Sequence, residues 1–102
     1  MKRHRSKVRF SRDLQIGFGW YSYEQWLRLI EVSADRENLD DSFADWERNA
    51  QEAFEALQAE GHSIRKIMVN IDLLVSWCQD RERPVDASAR AEYVTELCRT
   101  AA

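Results

Sequence analysis

Turn-forming residues are scarce in this chain of 102, which holds three glycines and one proline. An all-β domain needs such residues between most pairs of strands, so the composition leans towards helix. Chemistry-bearing residues are scarce too: two cysteines, Cys78 and Cys98, and two histidines, His4 and His62. A structural zinc takes four ligands, usually in close Cys or His pairs, and the chain has no such pair. A nucleophilic Ser or Cys needs a histidine within reach that a carboxylate orients. His4 lies in a basic arm, and His62 follows Gly61, where a helix is expected to end. No apolar run approaches the ~18 residues of a membrane span, and no signal-peptide hydrophobic region follows the basic start. The expectation is a cytoplasmic protein with no membrane partner, no cofactor and no catalytic constellation, its two cysteines packed as free thiols.

What is present is a folding composition, 44% hydrophobic and 32% charged, with four tryptophans. Each large aromatic removes ~150–250 Å² from water when buried, enough together to seed a single core. Charge is divided along the chain. Residues 1–12 carry Lys2, Arg3, Arg5, Lys7, Arg9 and Arg12 with no acid, an arm of +6 on a body of −9. Residues 1–12 are therefore read as a basic N-terminal arm and residues 13–102 as one compact domain. The six cations are the candidate nucleic-acid contacts, giving salt-sensitive affinity that does not read sequence.

Beside the arm, "GFGWYSYEQW" (residues 17–26) places Phe18, Trp20, Tyr21, Tyr23 and Trp26 within ten positions. Exposed aromatics stack on single-stranded bases at ~1–3 kcal/mol each. The same residues also read as the start of a helix. Ser22 and Gln25 have capping-box spacing, and Tyr21 and Trp26 stand where a hydrophobic staple forms. Tyr23, Trp26, Leu27 and Ile30 continue at helical spacing to a stop near Ser33. The cluster is expected mostly to pack, with Trp20 and Tyr23 as the candidate surface aromatic patch. "GFG" lacks the third glycine and βαβ context of a dinucleotide site, so Gly17 and Gly19 are read as a tight turn before the helix.

Elsewhere, "DLQIGF" alternates as a half-buried strand, and "ADRENLDD" reads as a polar connection. Ser42 caps a second helix bearing Phe43, Trp46, Ala50, Phe54 and Leu57, with Gly61 at its end. "HSIRKIMVNID" is the best strand. Asn70 or Asp72 caps a third helix with Leu74, Trp77 and Cys78 on one side, Pro84 breaks it, and Asp86 starts a fourth. The last two helices are too acidic for a recognition helix, and Arg90 is read as a partner for Asp86 or another acid. The fold class is α+β, mainly α: four helices with one or two short strands, in the order β-α-α-β-α-α. Trp26, Trp46, Phe54, Trp77, Tyr93 and Leu97 are the expected core. The best strand needs a partner, either the "DLQIGF" region or a second copy.

"GWYSYEQW" leading to "SFADWERNAQEAFEALQAEGH", and "VNIDLLVSWCQD" leading to "ARAEYV", resemble a group of short, uncharacterised bacterial proteins over about residues 17–98. The resemblance implies a freestanding bacterial protein and brings no activity or site residues. The leading function is a non-catalytic interaction or accessory protein that binds a protein partner or itself. The alternatives are nucleic-acid association through the arm, and a small-molecule pocket lined by Trp20, Tyr23 and Trp77.

Overall fold

Parallel strands cannot be joined by a tight turn, because the chain must travel back before it runs alongside itself. In the computed structural model, which describes residues 15–100, the strands are β1 (Ile16–Trp20) and β2 (Ile64–Met68). They pair in parallel, Ile16 beside Ile64 through Trp20 beside Met68. The return path is α1 (Tyr23–Val32) and α2 (Phe43–Ala59), with a 3₁₀ turn at Arg36–Asn38 between them. After β2 come α3 (Ile71–Asp80) and α4 (Ala87–Thr100). The fold is α+β and mainly α, in the order β-α-α-β-α-α, and the best strand finds its partner within the chain.

Local chemistry explains the helix ends. The Ser22 hydroxyl accepts from the Gln25 backbone N–H at 3.2 Å, and that of Ser42 accepts from the Asp45 N–H at 3.1 Å. The capping box at Ser22 is only half formed. The Gln25 side chain accepts from the Ile71 backbone N–H at 2.6 Å, tying the start of α1 to the start of α3. Asn70 caps α3 by accepting from the Leu73 N–H at 3.1 Å. At the end of α2, the Gly61 N–H bonds the Gln58 carbonyl and the His62 N–H the Leu57 carbonyl, the paired bonds of a Schellman motif. That motif needs a left-handed residue, and Gly61 has φ 96°.

Side chains alternate across the sheet. Phe18 and Trp20 face α2, where Phe18 meets Phe54 at 5.8 Å between ring centroids and Trp20 meets Trp46 at 5.1 Å. The opposite face carries Gly17 and Gly19, and α4 lies on it. A Cβ on Gly17 would fall 2.9 Å from Cys98 Cβ, and one on Gly19 would fall 3.0 Å from Val94 Cγ2. The turn expected at "GFG" is therefore corrected. Both glycines lie inside β1, and their missing side chains let a helix approach the strand.

The core forms where α1, α3, α4 and the sheet meet. Trp26, Leu29, Ile71, Leu74, Cys78, Ala89, Tyr93, Val94 and Cys98 are buried there. Trp26 and Tyr93 match expectation, whereas Trp46, Phe54, Trp77 and Leu97 are only half-buried. Trp46 and Phe54 pack over the edge of a small sheet and Trp77 packs on Tyr93 at the outside of α4, so each ring keeps one edge in water. Gly17→Ala should lower stability by about 1–3 kcal/mol, the usual cost of overpacking a close contact. Urea unfolding measures it, and Gly61, whose Cβ would meet nothing within 4 Å, supplies the contrast of backbone strain without crowding.

Candidate functional site

The hydrogen bonds of a parallel ladder decide which backbone groups remain for a partner. The Ile16 N–H donates to the Ser63 carbonyl at 2.9 Å and the Val69 N–H to the Trp20 carbonyl at 3.0 Å. Residues 16, 18 and 20 of β1 therefore turn their backbone groups inward, and Gly17 and Gly19 turn theirs outward. On β2 the outward residues are Ile64, Lys66 and Met68. Among the described residues these outward groups pair with no strand, so both edges of the sheet are open.

The two edges differ. That of β1 lies in a groove of about 330 Å³ between α2 and α4, bounded by Trp46 and Tyr21 on one side and Arg90, Val94 and Thr95 on the other. That of β2 carries an exposed Lys66 at its middle and Met68, 61% exposed, at its end. The Lys66 ammonium lies 3.9 Å from the centre of the Trp20 ring and 5.0 Å from that of Phe54, a cation–π pairing at the rim.

Arg90 in the groove wall is held by an acid from the polar connection. Its two terminal nitrogens donate to the two Asp35 oxygens, each at 2.8 Å, with both side chains almost fully buried. Asp35 also accepts from the Ala87 backbone N–H at 3.1 Å, and the Ala34 N–H donates to the Val85 carbonyl at 2.8 Å. The connection after α1 is thus fastened to the start of α4. The hydrogen-bonded Arg90 guanidinium holds the Asp35 carboxyl down, from 3.8 to about 2, against the opposing effect of burial. At Arg90 burial works against the charge and the Asp35 carboxylate outweighs it, leaving its pKa raised. Burial pushes the neighbouring Tyr21 phenol up, so it presents a neutral hydroxyl. Asp86 is occupied as the cap of α4, accepting from the Ala89 N–H at 2.9 Å, which leaves Arg90 to the distant acid.

Lys2, Arg3, Arg5, Lys7, Arg9 and Arg12 lie outside the described residues. Trp20 is half-buried with one face under Lys66, and Tyr23 is 55% exposed and packs edge-on against Phe43 at 5.6 Å. The two are not one patch. They are joined by a run of touching rings that passes through Phe43 and Trp46, and beyond Trp20 the run continues to Phe18 and Phe54. Trp77 packs against Tyr93 and donates to Glu96 at 3.3 Å. Both cysteines are free and buried, and burial pushes the Cys78 thiol up, which suppresses thiolate chemistry. Among the described residues no group of three or more His, Cys, Asp or Glu side chains converges as a metal site, and no helix is long and apolar enough to cross a membrane.

Sequence reasoning missed Asp35, which looks like any other acid in "ADRENLDD"; its partner is 55 residues away. It also missed the strand edges, which exist only once the register is known. No family model, curated protein or solved structure matches the chain.

The ion pair predicts a pH dependence with a definite sign. Asp35 is depressed in the folded state, so it stabilises the fold above pH 3.8 and loses that contribution as pH falls towards 2. Urea unfolding between pH 7 and pH 2 should show Asp35→Asn flattening that part of the profile by about 2 kcal/mol. Arg90→Ala, which leaves a buried carboxylate without its counter-charge, should cost about 3–5 kcal/mol at neutral pH.

Proposed function

We propose that the protein is a small non-catalytic interaction or accessory protein of the bacterial cytoplasm that binds another protein chain by extending its sheet. The observation that carries this reading is the β2 edge: Ile64, Lys66 and Met68 present unpaired backbone groups among the described residues, beside an exposed Met68. A strand edge recruits an extended segment through main-chain hydrogen bonds, and the flanking side chains select it. Leu73, two residues into α3, and Tyr23 and Leu27 on α1 add exposed apolar surface. Lys66 at the middle of the edge favours an acidic residue in the partner. Antiparallel pairing with a second copy centred there sets lysine against lysine, which is unfavourable, so a heterologous partner ranks above self-association.

Nucleic-acid association through Lys2, Arg3, Arg5, Lys7, Arg9 and Arg12 is the second reading, favoured by the +6 charge of residues 1–12. The engagement of Trp20 with Lys66 and Trp46 weighs against base stacking beside the arm.

Titration of the isotope-labelled full chain with a peptide of alternating Val and Glu should shift the amides of Ile64, Lys66 and Met68. Lys66→Glu should weaken that binding roughly tenfold, as expected for reversing one charge of a close pair. Unchanged amides at every peptide concentration would sink the strand-extension reading. Anisotropy of labelled single- and double-stranded oligonucleotides across a salt series separates the second reading. Binding that falls steeply with salt makes nucleic acid the partner class.

A further inference from the structure

The β1 edge differs from the β2 edge in charge as well as in shape. Trp46 walls one side of its groove and Arg90, Ala91 and Thr95 the other, with Gly17 and Gly19 at the floor. Arg90 is the one ionised side chain in that lining, and Asp35 meets its charge at 2.8 Å. The lining is therefore neutral overall. A charged residue entering it would give up water without gaining a counter-charge. At the β2 edge, by contrast, Lys66 invites an acid.

Gly17 and Gly19 turn their N–H and C=O groups outward, so the floor offers donors and acceptors at the spacing of a strand. Beside them stands a polar group with nothing to bond. Tyr21 lines the groove and is only 8% exposed. Its hydroxyl has no hydrogen-bond partner among the described residues, and no sealed-off side-chain oxygen goes unbonded there, so the hydroxyl opens onto the groove. A Cβ on Gly19 would stand 3.8 Å from that oxygen, which puts it next to the strand edge. Burial keeps the phenol neutral and able to donate.

We propose that the groove over β1 binds an uncharged extended segment of another protein, built of residues such as Val and Thr, as a third strand. The backbone of the segment bonds Gly17 and Gly19, and one of its carbonyl or hydroxyl oxygens accepts from the Tyr21 hydroxyl. Its side chains on one side meet Phe18 and Trp46. Those on the other meet Ala91 and Thr95, where the two glycines leave the sheet with no side chains of its own. The two edges of one small sheet then select different chains, an acidic one at β2 and a neutral one at β1.

This inference concerns the β1 edge and stands or falls separately from partner binding at β2. The test is titration of the isotope-labelled full chain with an acetylated, amidated peptide of alternating Val and Thr. The amides of Gly17 and Gly19 should shift and their hydrogen exchange should slow, while those of Ile64, Lys66 and Met68 stay in place. Tyr21→Phe keeps the ring in the core and should weaken binding roughly threefold or more, the loss of one hydrogen bond. Thr95→Trp, at an exposed position, fills the groove and should abolish it. Glycine amides that stay unmoved at every peptide concentration overturn the proposal, as does binding that neither variant weakens. An equal response of both glycines to the Val and Glu peptide overturns the selection for a neutral chain. Slow exchange at both glycines before any peptide is added also overturns it, because the edge is then covered from within the molecule or, where protection grows with protein concentration, by a second copy.

Discussion

The parallel ladder between β1 and β2 governs the rest of the molecule, because it joins segments that start 48 residues apart, Ile16 and Ile64, in one register. Parallel pairing requires a crossover, and α1 and α2 are that crossover. It also brings the starts of α1 and α3 to the same end of the sheet, where the Gln25 side chain bonds the Ile71 N–H across the gap. Once the register is set, Phe18 and Trp20 must face α2 and the two glycines must face α4. A slip of one residue would turn the aromatics onto α4 and the glycines onto α2, so one-sided packing locks the pairing.

The buried pair of Asp35 and Arg90 is the second tie. It joins the connection after α1 to α4, and the Ala34 and Ala87 backbone bonds run beside it. Both guanidinium arms and both carboxylate oxygens are used, which is the geometry in which a buried pair recovers most of its desolvation cost. Arg90 also forms part of the groove wall over β1. The pair thus places a wall of the candidate site.

The aromatic residues do structural work throughout. Trp46 touches the rings of Trp20, Tyr21, Trp26 and Phe43, bridging α1, α2 and β1. Lys66 covers the outer face of Trp20, and Arg81 lies 4.1 Å from the ring centre of Trp77. Cations seated on these rings cover surfaces that a nucleic-acid base would otherwise stack on. Among the described residues the fold leaves open the backbone at the two edges of a short sheet and the exposed side chains of Tyr23, Leu27, Met68 and Leu73.

Much of the architecture was legible along the chain because its signals are local. The caps at Ser22, Ser42 and Asn70, the glycine stop at Gly61 and the apolar stripe containing Trp26 depend on residues within one or two turns. Helix number and order follow from such signals, with one or two strands. Tertiary structure alone decided the rest. Strand direction and register, the strand role of Gly17 and Gly19, the choice of Asp35 over Asp86 for Arg90 and the half-burial of Trp46 and Trp77 all depend on distant elements meeting. A glycine in a strand and a glycine in a turn look alike until a helix arrives to require the missing side chain, and an acid shows no partner until the chain has folded it beside one.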